Sequence, residues 1–390
     1  MKRVVIIVQG CRQGGANRSL QYLLQTLEQS DLQISVFALS HQGSYRTVFS
    51  NYSLLEEDFM CSTLLSDLSL EKPSLRRVVR WLLRSVFRLF RIAGVPAFDF
   101  FFNQARRSLE RQNFDVAIAF QEGTATAFAA PLLVPLKIAW IHSDYGNYLK
   151  LAATKPEITT YEHFHSIVCV SDFTATVFKQ LMPALSERVS AIPNVMNQVK
   201  IRHQSAEEPL HPHFNRVGAT LLCVGRIDPV KRFTAIPLIA AHLKQRNILF
   251  RWYLIGDGAS DEKEAIKTAI QQYKVDDCVL MLGEIENPYP YIVRSDVLIS
   301  LSLSEACPLG VQEAKLLHVP VVATDFGSAR EFVLEGEGGM VVPFEEMANT
   351  LAELLLNQEF LLKMKQKLEG YEFDNQGIIR KVIAQVTREV

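Results

Sequence analysis

The 390-residue chain is poor in paired cysteines, net charge and long apolar runs. Its six cysteines (Cys11, Cys61, Cys169, Cys223, Cys278 and Cys307) include no C-x-x-C pair, and Cys169 and Cys223 stand inside apolar, strand-like runs. A disulfide framework and a zinc site are therefore not expected, and a reducing compartment fits. A formal charge of −1 argues against a general nucleic-acid binder. The opening Met-Lys-Arg leads into a Val/Ile stretch too short for a signal-peptide core and far too short to span a bilayer, so a cytoplasmic protein is expected. Solenoid-period repeats and low-complexity tracts are also missing.

What is present is an alternation of short apolar strands with helical patterns. Strands are expected at 3–8 (RVVIIV), 33–39, 116–120, 138–141, 167–170 and near 189–192, with a helix over about 16–29. Nearly all-apolar, β-branched strands separated by helices indicate a parallel sheet covered on both faces. The composition then changes: MNQVKIRHQSAEEPLHPHFNRVG, residues 196–218, is polar and without periodicity, and reads as a linker. A second β/α series follows, with strands at 220–224, 250–255, 279–282, 297–301, 319–323 and 340–342 and helices at 345–357, 359–368 and 375–389. The expectation is an α/β protein of two facing, doubly wound Rossmann-like domains, residues 1–197 and 198–374, with a cleft between them. Open α/β sheets bind ligands at the carboxyl ends of their strands, so function is sought in the loops that follow strands. The charge is uneven too: residues 1–197 carry 20 Lys and Arg against 16 Asp and Glu, and residues 198–390 carry 21 against 26.

Two loops in the second half carry chemistry. Ser304-Glu305-Ala306-Cys307-Pro308-Leu309-Gly310-Val311-Gln312-Glu313 follows a strand and opens a helix. Free N–H groups near Leu309 and Gly310 suit an anion, while Glu305 and Glu313 offer acceptors to hydroxyls at two heights along one ligand. Glu313 alone would read equally well as an ordinary acid favoured by the helix dipole. Gly225-Arg226-Ile227-Asp228-Pro229-Val230-Lys231 follows the first strand of the second series. Gly225 allows close approach of a ligand, and Arg226 and Lys231 supply the two cations a diphosphate needs. A plain surface turn is the bland alternative. No D-x-D pair follows a strand, so a metal is not expected to hold the diphosphate. Gly256-Asp257-Gly258 lacks the third glycine of a dinucleotide fingerprint and reads as a tight turn.

The G-R-x-x-x-x-K turn, followed about 80 residues later by Glu-x7-Glu, resembles the group 1, family 4 retaining glycosyltransferases of the GT-B fold. Gly14-Gly15, His142 in W-I-H-S-D, Ser171-Asp172-Phe173, Ile192-Pro193-Asn194 and Gly256-Asp257-Gly258 match the family's pattern in order, as does a last helix crossing back onto the first domain. The resemblance implies an acceptor-binding first domain and a donor-binding second domain. It also implies transfer of a sugar, with retention, from a nucleotide diphosphate (UDP by default) to a saccharide or lipid-linked saccharide, with no cofactor or metal. Arg226 and Lys231 would bind the diphosphate, Glu305 the sugar hydroxyls, Glu313 the ribose, and the amides of Leu309 and Gly310 the phosphate oxygens. Gly15 would make room for the diphosphate and acceptor, and His142 would stand beside the reacting centre. Glu122, Asp144 and Arg18 are further acceptor-contact candidates. The chain departs from the family at Asn194-Val195-Met196-Asn197, which lacks the usual Gly after Asn, and at Ala306-Cys307-Pro308. Two other readings remain: a sugar-nucleotide epimerase, for which no acid/base pair stands out, and a non-catalytic sugar-nucleotide binder, against which the Arg226, Lys231, Glu305 and Glu313 set argues.

Residues 71–93, EKPSLRRVVRWLLRSVFRLFRIA, hold seven basic residues against one acid. Arg76, Arg80, Arg84 and Arg88 recur every four residues and share one helical stripe, flanked by Arg77 and Arg91. Trp81 borders a broad apolar face opposite. Such a helix can lie in a membrane interface with Arg76, Arg80, Trp81, Arg84 and Arg88 in contact, placing the protein on the inner face of the membrane. The alternative is a core helix whose arginines face water.

Overall fold

A computed structural model describes residues 1–28, 30–68, 72–92, 97–152, 157–215 and 217–389. The sequence readings at Gln29, Glu71, Ala93, Arg216, Val390 and the Arg91 side chain lie outside these residues. The chain divides into two compact units, one formed by Met1–Val195 with Asn375–Val390 and the other by Met196–Asp374.

The first unit is built on a six-stranded sheet: β1 (Lys2–Val8), β2 (Leu32–Ala38), β3 (Val116–Ala119), β4 (Leu136–Ile141), β5 (Ser166–Cys169) and β6 (Val189–Ala191), in the order β2-β1-β3-β4-β5-β6. The second repeats the plan with β7 (Ala219–Val224), β8 (Phe250–Ile255), β9 (Val279–Gly283), β10 (Val297–Ser300), β11 (Val321–Thr324) and β12 (Gly339–Val342), in the order β12-β11-β10-β7-β8-β9. Every strand pair is parallel. Strands buried on both faces explain the lack of polar alternation: all four residues of β3, β5 and β11 are buried. The strand order reverses between β1 and β3 and between β7 and β10, which opens a crevice at the strand carboxyl ends within each sheet, and both candidate loops of the second unit leave from there.

The stretch read as a linker is partly ordered. Gln198–Ser205 is a helix, started by the Asn197 side chain accepting from the Lys200 N–H at 3.0 Å and held by buried Ile201. Two helical turns with one buried apolar residue carry too little periodicity to be seen in sequence. The helix Asn375–Thr387 packs on the first unit through Ile378, Val382 and Val386, and Gln385 accepts from Ser166 Oγ at 2.6 Å.

The helix Leu75–Ile92 is rotated relative to the sequence expectation. Arg80 is only 4% exposed, donating to Ser62 Oγ at 2.8 Å and standing 3.9 Å from the Glu57 carboxylate. Arg84 donates to the carbonyls of Thr63 (2.6 Å) and Ser66. Thr63 lies in the last turn of the helix Phe59–Leu65, and Ser66 caps it. That end presents carbonyls without helical partners, which attract cations. Arg80 and Arg84 thus face protein, and neither is available as a membrane contact. Leu83 and Phe87 join them on the inner face, Phe87 meeting Phe101 edge-on. Much of the apolar face is outside: Leu75, Trp81 and Leu89 are 80%, 60% and 63% exposed, and Val78 and Leu82 are exposed with them.

Candidate active site

In the second unit the turn after β7 and the loop after β10 converge. Asp228 organises the first. Its carboxylate accepts from the Lys231 N–H (3.1 Å) and from Arg226 Nε (2.7 Å), capping a single 3-10 turn, Pro229–Lys231. A full α-helix begins only at Ile236, so the two cations sit on and beside a short turn, away from a helix start. Gly256 and Gly258 buttress this turn from β8. A Cβ on Gly256, whose φ is +148°, would stand 1.8 Å from the Gly225 carbonyl oxygen, and one on Gly258 would stand 1.9 Å from that of Ile227. Gly256-Asp257-Gly258 is therefore a packing device for the cationic turn. At Gly225 itself the nearest atom to a Cβ would be Lys231 Cε, 3.5 Å away, so this glycine leaves room for the lysine stem.

The Lys231 ammonium pairs with Glu305 Oε1, joining residues 74 apart in sequence. Both side chains are mostly buried. The Glu305 loop is pinned at several points: Ser302 Oγ donates to Oε1 (2.7 Å), Ser328 Oγ to the Glu305 carbonyl (2.8 Å), Thr324 Oγ1 to the Ser302 carbonyl (2.7 Å) and the Leu303 N–H to the Val230 carbonyl (2.8 Å). The helix Leu309–Leu316 follows, with Pro308 at its start and no side-chain cap on its first N–H groups. A Cβ placed on Gly310 would stand 3.9 Å from the Val224 carbonyl oxygen at the end of β7. Glu313 is fully buried and takes a 3.4 Å hydrogen bond from Tyr289 Oη. Arg226 stays 74% exposed on its side chain, held at the rim by Asp228. Ser302, Ser328 and Tyr289 were missed in the sequence, where serines and tyrosines at those places carry no distinguishing spacing.

In the first unit Gly15 opens the helix Gly15–Leu27, and among the described residues nothing beyond its chain neighbours and its own helix backbone comes within 4 Å of where its Cβ would stand. Asn17 steadies the preceding loop by donating to the carbonyls of Gly10 (2.8 Å) and Arg12 (2.7 Å). His142 follows β4. Its backbone N–H donates to Glu122 Oε2 (2.9 Å), its ring lies 4.5 Å from that of Phe120, and its Nε2 is enclosed without a hydrogen-bond partner. Burial pushes its pKa down to about 3, so the imidazole is neutral at ordinary pH. Two other motif residues have structural work: Asp144 caps the helix Tyr145–Leu151 through Gly146 and Asn147, and Ser171 forms a capping box with Thr174. Among the described residues no group of three or more His, Cys, Asp or Glu could hold a metal ion.

Paired parallel six-stranded sheets of this order are those of GT-B proteins. The crystal structure of Anabaena HepE in complex with UDP and glucose matches over 100% of both chains, with a TM-score of 0.70 and 16% identity. Residues 13–198 match the family model for Glycosyltransferase Family 4 and residues 212–370 that for Glycosyl transferases group 1, and the chain belongs to this glycosyltransferase family. Curated relatives include the putative colanic acid biosynthesis glycosyltransferase WcaL of Salmonella typhimurium, 23% identical over 55% of this chain and 54% of its own. Another is a Campylobacter jejuni N-acetylgalactosaminyltransferase acting on a diphospho-undecaprenol-linked saccharide, 27% identical over 42% of this chain and 45% of its own. The chain spans about half the length of the curated relatives it matches.

Proposed function

We propose that the protein transfers a sugar from a nucleotide diphosphate donor to a saccharide or lipid-linked saccharide in cell-surface polysaccharide synthesis, with retention and without a metal. The observation that carries this reading is the meeting of Lys231 and Glu305 beside the uncapped start of the helix Leu309–Leu316. A diphosphate entering there would take the Lys231 ammonium and the amides of Leu309 and Gly310, with Arg226 closing from the rim. Glu305, released from the lysine, would accept from the sugar hydroxyls, and Glu313, held by Tyr289, from the ribose. The bond from the sugar carbon to the diphosphate breaks through an oxocarbenium-like transition state. The growing charge on the leaving group is met by preorganised cations and N–H dipoles, which do the work a metal does elsewhere. In the first unit, the family resemblance would give Gly15 the role of making room and His142 a place beside the reacting centre. UDP is the favoured carrier because HepE binds it on the same fold. The lipid-linked acceptor is supported by the activity named for the Campylobacter relative and by the exposed apolar helix of the first unit, which suits a peripheral place on the inner membrane face.

A thermal-shift screen of nucleotide sugars tests the reading. A specific donor at a hundred times its dissociation constant stabilises the protein by about 2.7 kcal/mol. The same donor should be turned over in EDTA. Stabilisation by no nucleotide sugar, or activity that disappears on chelation, would overturn the donor assignment or its metal independence respectively.

A further inference from the structure

We infer that the outward apolar face of the helix Leu75–Ile92 is a lipid-docking surface that lies flat in the headgroup region of an anionic bilayer. It deepens the lipid-linked acceptor reading by naming the face that meets the membrane, and it reverses the geometry expected from sequence. The middle of the arginine stripe does not meet lipid, because Arg80 and Arg84 are held by Glu57, Ser62, Thr63 and Ser66. Leu75, Val78, Trp81, Leu82 and Leu89 are what the helix turns outward. Eighteen residues give a rod of about 27 Å, and no helix among the described residues is long and apolar enough to cross a membrane. An apolar face with a tryptophan on it, on a helix otherwise rich in arginine, is the pattern of an in-plane interfacial helix.

Charge decides which occupant fits. From Lys72 to Phe90 the chain holds no acidic residue, and Lys72, Arg76 and Arg88 are exposed. A second copy laid on this face in a twofold contact would set these cations against their own images, which costs affinity. Anionic phospholipid headgroups complement the same cations while the acyl region takes the leucines and Trp81. The helix also adjoins a place an acceptor could use. A cavity of 370 Å³ lined by His41, Arg46 and Glu57 lies just past the carboxyl end of β2, and Glu57 is the acid that Arg76 and Arg80 approach at 3.9 Å. A docked helix would hold this polar cavity close to the headgroups.

The chain's tryptophans make the test direct. Trp140 and Trp252 are buried, so a change in emission caused by vesicles reports Trp81. The full chain is floated with vesicles of phosphatidylglycerol and phosphatidylethanolamine, and with phosphatidylcholine alone. Co-flotation with the anionic vesicles, with Trp81 emission shifted to the blue and shielded from an aqueous quencher, is expected. The triple variant Trp81→Ser, Leu82→Ser, Leu89→Ser should keep its far-ultraviolet dichroism and lose at least about tenfold in vesicle affinity. Arg88→Gln should weaken binding to anionic vesicles and leave binding to phosphatidylcholine unchanged. Absence of flotation, flotation that the triple variant does not alter, or a concentration-dependent dimer that it abolishes would each overturn the proposal. Vesicle binding and nucleotide-sugar stabilisation are read separately, so failure of one leaves the other standing.

Discussion

Lys231 and Glu305 neutralise each other in the free protein, and under the proposed function each would exchange that partner for the donor. Replacing the lysine would remove the charge proposed to meet the leaving diphosphate. Lys231→Ala should lower kcat by about a hundredfold or more, the usual loss for one preorganised charge contact, and a steady-state assay at saturating donor would show it. His142 makes a different prediction, because its pKa is displaced and its Nε2 is unsatisfied. The folded pKa, about 3, lies below the ordinary 6.5, so the unfolded chain takes up a proton that the folded chain refuses across that window. Stability is therefore intact above about pH 6.5 and falls as the pH drops toward 3. His142→Gln should flatten that acid limb in denaturant melts. In the parent enzyme, the pH profile of kcat should show no His142 titration between pH 5 and 8.

At the scale of elements, the twelve strands could be read from sequence because strands buried on both faces must be apolar throughout, and the glycines and prolines around them mark the turns. The two loops of the candidate site could be picked out for a related reason: Gly225, Lys231 and Glu305 are small or charged residues in the loops that leave such strands, and Glu313 follows in the helix after the second loop. Orientation was not legible. The arginine helix has a correct period in sequence, yet which face looks inward depends on the open carbonyls at Thr63 and Ser66, brought close only by folding. Lys315, in the helix Leu309–Leu316, is a similar case. It is 3% exposed with its ammonium 4.9 Å from the Tyr371 ring, and burial lowers its pKa to about 8. Between the folded value of about 8 and the ordinary 10.5, the unfolded chain holds a proton that the folded chain gives up. Stability from this residue thus rises with pH across that window, and below it the full cost of a buried charge is present. Lys315→Met, of similar length and apolar, should stabilise the protein at pH 7 by about 1–3 kcal/mol, less the lost cation–π contact. The gain should shrink as the pH approaches 10.5, which paired thermal melts at the two pH values would reveal.

For the whole molecule, the division of the chain is not the division of its fold: the first unit is completed by the last helix, Asn375–Thr387. Ile378, Val382 and Val386 are buried, Gln385 accepts from Ser166 at the start of β5, and Lys2 at the start of β1 donates to the Arg388 carbonyl at 3.3 Å. These contacts lie at the amino ends of β1 and β5, away from the loops that carry Gly15 and His142. Cutting the chain after Asp374 uncovers three aliphatic side chains' worth of burial, about 5 kcal/mol, together with the sheet residues beneath them. That is comparable to the whole stability of many domains, and it falls on the first unit alone. Hydrogen exchange on the truncated chain should show protection lost in peptides covering β1, β5 and β6 and kept in those covering β7, β8 and β10. A nucleotide sugar should still protect the turn around Lys231, because Arg226, Lys231, Glu305 and Glu313, the side chains proposed to hold it, all belong to the second unit. Sugar transfer should nonetheless fall with the unfolding of the first unit, since Gly15 and His142 lie there.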